Sequence, residues 1–246
     1  MEILTILLLL FIGFIANFLG SIVGGGGVIS IPALIFLGLP PQTAIATDRF
    51  ASMGESACIF KYHKSGKINY KMILPLCIIA VVGTIIGSSI LLNIDKNIIL
   101  KIMGVMFLLF IPLIILKKDK GIENKKLTKL SIFWGYALYF LVAIQGGFLG
   151  AGTGVLAVFV FIFFFGMSYI ESNANQAIPW LIISVISTII FAFYGLIRYD
   201  YGIFVLIGAI IGGYIGPYFA LKRGEKFIKN LFIVIIILVA IKLIFF

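Results

Sequence analysis

Four consecutive glycines at residues 24–27 interrupt the first long apolar stretch of this sequence, and they constrain its fold more than any other feature. The apolar piece that follows, residues 28–38, is much shorter than the roughly 20 residues that a helix needs to cross a bilayer. Pro40 and Pro41 then begin another segment. Backbone that leaves a helix at membrane depth is tolerated only where protein buries it or where it lines a cavity. The stretch therefore predicts a broken, short helix of the kind that forms the substrate site in many transporters.

The composition places this break inside a membrane protein. Apolar residues make up 62% of the chain and charged residues 11%, whereas soluble domains have about 45–50% and about 25%. Several apolar runs are long enough to span a bilayer. The first run begins with Met-Glu and lacks a basic leader, so we interpret it as a membrane helix and not as a cleaved signal peptide. We expect an all-α, polytopic integral membrane protein embedded in the lipid bilayer.

The pattern of the first half recurs in the second half. An apolar run at 131–149 is followed by a glycine-rich segment at 150–154 and by a second short apolar piece at 155–166. A long polar segment, residues 117–130, separates the two copies. We therefore divide the chain into a first transmembrane repeat at 1–116, the basic linker, and a second transmembrane repeat at 131–246.

Paired glycines four residues apart also recur in both halves. Gly83 and Gly87 correspond to Gly212 and Gly216 at a constant offset of 129 residues. Small residues at this spacing let two membrane helices approach closely. We expect both pairs to lie at helix crossings.

The distribution of positive charge indicates how the two repeats are oriented. Of the 19 Lys and Arg residues, 14 lie in loops 61–71, 117–129 and 222–229, and loops 93–97 and 198–200 are not rich in lysine. Basic loops are cytoplasmic by the positive-inside rule. Corresponding loops of the two copies then lie on opposite sides, so we predict inverted repeats of about five helical segments each. Both chain ends would be extracytoplasmic, with the broken helices near the bilayer midplane.

Three ionisable residues, Asp48, Arg49 and Glu55, lie deep within a candidate span. Charged residues in such positions are costly and indicate a functional site. Arg49 could offer its planar set of donors to an oxyanion, and Asp48 or Glu55 could couple a proton. Alternatively, Asp48 and Arg49 neutralise each other, or Arg49 extends to the membrane surface.

Helices that start after the two glycine segments, near Val28 and Val155, would present unpaired N–H groups and positive dipole ends to an anion. The alternative is a flexible kink or a tight crossing. Trp180 either lines the pathway, or it faces lipid or is packed. The candidate substrate-binding residues are Gly24, Gly25, Gly26, Gly27, Thr47, Arg49, Ser52, Gly150, Gly152, Gly154, Asn175 and Gln176. The proton-coupling candidates are Asp48 and Glu55.

Four motifs together resemble the TauE/SafE sulfite exporter family over nearly the whole chain. They are Gly-Leu-Pro-Pro at 38–41, Ala-Thr-Asp-Arg at 46–49, Gly-Lys-Ile-Asn-Tyr at 66–70 and Gly-x-Gly-x-Gly at 150–154. The resemblance implies a prokaryotic inner-membrane secondary transporter, coupled to protons, for sulfite, organosulfonates or related organic anions. The second copy reads Asn-Ala-Asn-Gln at 173–176 and lacks a basic residue there, which argues against a clamp of two cations.

Other functions remain open from the sequence. A channel or a non-transporting membrane subunit would share the same composition. An intramembrane enzyme could use Asp48 and Glu55 as a carboxylate pair, but no nucleophile–base pair accompanies them, so we do not expect an enzyme. The sequence contains no P-loop, metal-binding or CxxC pattern, and we expect no cofactor, no metal and no nucleic-acid partner.

Overall fold

The computed structural model describes residues 2–115 and 128–223 of the chain, and in these residues all regular structure is helical. This confirms the predicted all-α class. The predicted last span at 227–246, most of the predicted linker and most of loop 222–229 lie outside the described residues.

Ten α-helices and one 3₁₀ segment are present in the described part of the chain. They are α1 (Ile3–Val23), α2 (Gly27–Phe36), α3 (Pro41–Ser52), the 3₁₀ segment (Met53–Ala57), α4 (Cys58–Lys64), α5 (Tyr70–Asn93), α6 (Lys96–Ile115), α7 (Lys129–Phe148), α8 (Thr153–Phe165), α9 (Tyr169–Phe193) and α10 (Tyr199–Arg223). Five of them, α1, α5, α7, α9 and α10, are long and apolar enough to cross a membrane. The chain is therefore a multi-pass membrane protein.

Both glycine segments break the helices as predicted. The first break lies between α1 and α2, where Gly24 adopts a left-handed φ of 80° and donates its N–H to the Gly20 carbonyl over 2.6 Å. The second lies between α7 and α8, where Gly150 and Gly152 have φ of 71° and 76°. Gly154, which we expected within the break, is the second residue of α8 instead. The helices that follow are short, with 10 residues in α2 and 13 in α8.

The two halves are intertwined through the predicted glycine pairs. α1 packs along α10 and α7 packs along α5, so the first helix of each half lies against a late helix of the other. A Cβ atom on Gly212 would overlap the Phe14 carbonyl on α1, and one on Gly87 would overlap the Ile144 carbonyl on α7. Only glycine permits these backbones to come so close, which confirms the packing role of both pairs.

The segment from α3 to α4 changes helical type in its middle. It begins with Pro41 in the first helical turn, where proline costs no hydrogen bond. It then tightens into the 3₁₀ segment around Gly54, whose α-carbon packs against the backbone of α10 near Leu206 and Ile210. A 3₁₀ stretch within a longer helical segment is often found at functional hinges.

Candidate functional site

The two glycine breaks contact each other. A Cβ atom on Gly24 would overlap the backbone of Gly154, and one on Gly154 would overlap the backbone of Gly24. A Cβ on Gly27 would lie 3.1 Å from the α-carbon of Ala151. The breaks of the two halves therefore lie against each other, and a shared anion site between them stays a prediction.

Arg49 lies beside this contact and is completely buried, with 0% exposure. Its Cζ atom is 4.6 Å from the centroid of the Trp180 ring, within the range of a cation–π interaction. On the other side the guanidinium packs against the α-carbon of Gly150, where a Cβ atom would overlap it. The guanidinium is thus held between α9 and the second break, and it does not extend to the membrane surface.

Within the described residues, Arg49 uses one of its three nitrogens for a hydrogen bond. Nη2 donates to Oδ2 of Asp48 over 2.6 Å. Nε and Nη1 are buried and have no hydrogen-bond partner among the described residues. A buried donor without a partner costs about 1–3 kcal/mol, and more when the group is charged. The arrangement therefore favours an acceptor that can bind to these two nitrogens.

Both carboxylate oxygens of Asp48 accept hydrogen bonds. Its Oδ1 accepts a hydrogen bond from the Ser30 hydroxyl of α2, and its Oδ2 accepts from Arg49 and, over 3.3 Å, from the Ser52 hydroxyl. The ion pair that the sequence left as an alternative for Arg49 is present in the structure. Through Ser30 it also fastens the short helix α2 to α3.

A cavity lies where the breaks meet. Six of the predicted substrate-binding residues line it: Gly24, Gly26, Gly27, Gly150, Gly154 and Gln176. Gly27 begins α2 and Gly154 is in the first turn of α8, so the N-terminal ends of both short helices reach the cavity. Its room for a water-sized sphere is about 10 Å³, roughly what one water molecule needs. The described conformation is therefore closed around this site.

Glu55 lies in the cavity wall and differs from Asp48 in its surroundings. It is 7% exposed and makes no ion pair in the described part of the chain. Its carboxylate packs against α1 at Gly20, where a Cβ atom would lie 2.9 Å from Oε2. Glu55 thus presents a carboxyl group to the cavity without a direct ion pair to any described residue.

The remaining predicted residues do not line the cavity. Thr47 accepts a hydrogen bond from the backbone N–H of Arg198, Asn175 binds the loop at 67–69, and Ser52 binds Asp48. Arg49 adjoins the wall through Gly150 and Trp180. Gly25 and Gly152 belong to the breaks but not to the wall.

Some wall residues were not selected from the sequence. Asn173 and Ser21 line the cavity, and Asn173 accepts a hydrogen bond from Gln176 over 3.1 Å. Trp180, for which the sequence left a place in the pathway as one alternative, also lines the cavity. Asn173 could have been found, because it lies three residues before Gln176 on the same helical face. Ser21 lies in an apolar run, and no sequence pattern around it indicated a place in the site.

The sequence matches the family described as "Sulfite exporter TauE/SafE" over residues 9–243. The chain belongs to the TauE/SafE family. This confirms the resemblance seen in its motifs, and it supports a membrane transporter.

Similar proteins carry matching descriptions. A "Probable membrane transporter protein ORF9" from Sinorhizobium sp is 26% identical over 231 residues, which cover 94% of this chain and 88% of that protein. A "Probable membrane transporter protein" from Haemophilus influenzae is 25% identical over 95% of this chain and 92% of its own length. A "Probable membrane transporter protein YunE" from Bacillus subtilis is 25% identical over 98% of both. No solved structure matches this chain.

Proposed function

We propose that this TauE/SafE protein is a secondary transporter that carries a small oxyanion, such as sulfite or an organosulfonate, across the prokaryotic cell membrane. The observation that supports it most is Arg49, which is buried beside the two glycine breaks with Nε and Nη1 unpaired among the described residues. A sulfite or sulfonate group offers several oxygens to such donors, and hydrogen bonds between ionised partners are the strong ones.

When Glu55 in the cavity wall is protonated, the electrostatics of the site also favour one negative charge. Arg49 and Asp48 neutralise each other within the ion pair. The N-terminal ends of α2 and α8 add positive potential at the cavity wall. An anion that enters the cavity between these two helix ends would meet donors from both halves of the protein.

Transport by a change of conformation fits the closed cavity better than a channel does. With room for roughly one water, the site has to open before an anion can enter. The direct contact of the two breaks, one from each half, gives a single site that could open toward either end.

Glu55 is the better of the two candidates for proton coupling. Both carboxylate oxygens of Asp48 accept hydrogen bonds, from Ser30, Arg49 and Ser52. Glu55, in contrast, faces the cavity without an ion pair among the described residues. A proton on Glu55 would remove a negative charge from the wall that holds the anion. In proteoliposomes, we expect Glu55→Gln to retain transport down an anion gradient and to lose its acceleration by a pH gradient. An unchanged response of uptake to the pH gradient would show that Glu55 does not carry the coupled proton.

The role of Arg49 is tested by uptake of sulfite and of a two-carbon sulfonate into proteoliposomes. Hydrogen bonds to charged groups contribute about 1.5–3 kcal/mol, so loss of the guanidinium should lower uptake by roughly 10- to 100-fold. Arg49→Lys keeps the charge but loses the fork of donors, so it should fall between wild type and Arg49→Ala. The control Lys101→Ala removes an exposed cation from α6 and should transport normally.

A double variant separates this role from a purely structural ion pair. Removing one partner of a buried pair leaves an uncompensated charge, which destabilises the fold. Arg49→Ala combined with Asp48→Ala should therefore restore membrane yield and remain inactive. Full uptake by the double variant would reduce the pair to a structural element and refute Arg49 as the anion ligand.

A further inference from the structure

Two short loops of the protein have the same construction. Residues 65–69 join α4 to α5 and residues 194–198 join α9 to α10. Each contains a glycine in the left-handed conformation, Gly66 with φ of 68° and Gly195 with φ of 63°. Each loop is held by a buried side chain that belongs to the opposite half of the chain.

Asn175 of α9 holds the loop at 65–69. Its Oδ1 accepts the backbone N–H of Asn69 over 2.7 Å, and its Nδ2 donates to the Lys67 carbonyl over 3.0 Å. Nδ2 also lies 2.8 Å from the Glu171 carbonyl one turn earlier. A surface ion pair between Lys67 and Glu171, with 3.7 Å between Nζ and Oε1, reinforces the same contact.

Thr47 of α3 holds the loop at 194–198 in an equivalent way. Its Oγ1 accepts the backbone N–H of Arg198 over 3.1 Å. Thr47 lies nine residues after the left-handed Gly38, and Asn175 lies nine residues after the left-handed Gly166. The two loop N–H groups likewise follow their left-handed glycines by three residues each. The two contacts therefore occupy equivalent positions, one made by each half of the chain.

The two contacts lie at opposite ends of one helix. Asn175 is near the start of α9, and the loop at 194–198 follows its last residue. At 1.5 Å per residue, about 30 Å separate the two loops along this helix. Gln176 and Trp180, which line the cavity, lie between them.

We propose that Asn175 and Thr47 are the two gate residues of the transporter, each closing one end of the path to the cavity and opening in alternation. This inference rests on the proposed function. When an end is closed, the gate side chain makes a hydrogen bond to a backbone group of the loop. When that end is open, water makes this hydrogen bond. Loss of the side-chain group therefore weakens only the closed form of that end. Among the described residues, Asn175 makes two hydrogen bonds to loop 65–69, which an ion pair reinforces, whereas Thr47 makes one hydrogen bond to loop 194–198. The end at 194–198 therefore opens more readily.

Cys58 provides a native reporter, because it lies in the cavity wall and is only 4% exposed. In a Cys77→Ala background, its labelling by the impermeant reagent (2-sulfonatoethyl) methanethiosulfonate is measured in intact cells and in inverted membrane vesicles. Single cysteines at Ser65 and Tyr194 identify the face on which each loop lies. This measurement needs no transport substrate, so its failure is distinct from failure of the proposed function.

Asn175→Leu should raise the Cys58 labelling rate from the face of loop 65–69, and Thr47→Val should raise it from the other face. One typical hydrogen bond changes a two-state equilibrium about fivefold, so Thr47→Val should give about a fivefold increase. Asn175→Leu removes two loop bonds and should give roughly 30-fold. Thr47→Ser, which keeps the hydroxyl, should label as wild type, and so should Ser89→Ala, which removes a hydroxyl bonded within α5. If Asn175→Leu fails to fold, Lys67→Ala should give a smaller increase from the same face. Increases from the same face for both variants, or from neither, would overturn the proposal.

Discussion

Gly150 offers the sharpest test of the site, because one added methyl group would act on Arg49 directly. A Cβ atom on Gly150 would overlap the guanidinium carbon and both of its terminal nitrogens. Gly150 also has a φ of 71°. Gly150→Ala therefore combines backbone strain with displacement of the buried cation.

A matched control separates the free-energy cost of backbone strain from the cost of the added methyl group. A non-glycine residue in the left-handed region costs about 1–2 kcal/mol, and forcing an extra carbon into a packed interior costs about 1–3 kcal/mol. Gly38 is also left-handed, with φ of 91°, and no described residue has an atom within 4 Å of the Cβ position there. Gly38→Ala should thus carry only the strain, and Gly150→Ala should be less stable than it by about 1–3 kcal/mol.

Thermal unfolding in detergent and anion uptake in proteoliposomes measure the two consequences. At roughly 2–4 °C per kcal/mol for a chain of this size, Gly150→Ala should unfold several degrees below Gly38→Ala. Its uptake should fall at least tenfold, whereas Gly38→Ala should transport close to the wild-type rate. Equal uptake by the two alanine variants would show that the contact between Gly150 and Arg49 has no part in binding.

Three further outcomes are expected. Gly87→Ala should lower the unfolding temperature, since its Cβ would meet the Ile144 carbonyl. Gly104→Ala in α6, where no described residue lies within 4 Å of the Cβ position, should raise stability by about 0.5–1 kcal/mol; the opposite order would contradict the helix-crossing role. Ser168→Ala should cost about 1 kcal/mol in chemical or thermal unfolding, because Ser168 caps α9, and no loss would mean that the cap is dispensable. Cysteines in loop 93–97 should react with impermeant reagents from outside the cell and those in loop 117–129 should not; reaction of both from one side would exclude inverted repeats.

The sequence was informative wherever backbone chemistry alone decides the structure. The glycine runs predicted both breaks and both short helices, since no side-chain arrangement is needed for a chain to leave a helix at Gly24 or Gly150. The glycine pairs predicted the crossings for the same reason. The end of the second break was misjudged at Gly154, where one residue separates turn from helix, and helix boundaries are commonly uncertain by one or two residues.

The sequence was less informative where a distant segment decides what a polar side chain contacts. Thr47 and Asn175 were grouped with the substrate ligands because they are polar residues in membrane helices. Their partners lie 151 and 106 residues away along the chain, and no local pattern reveals which backbone group will reach them. The pairing of Asp48 with Ser30 was equally hidden, because a single serine in an apolar helix has many structural roles.

The intertwined packing has a consequence for how the protein is made. α1 leaves the ribosome well before its packing partner α10, which begins only at Tyr199. At about 5–20 residues per second, α1 waits roughly 10–35 s in the membrane with Asn17 and Ser21, which are buried in the folded protein, uncovered. During this time the Asn17 amide can still bond to the Gly13 carbonyl within its own helix, as it does in the finished fold. A polar side chain that satisfies itself locally lets an early helix remain in lipid until its partner is synthesised.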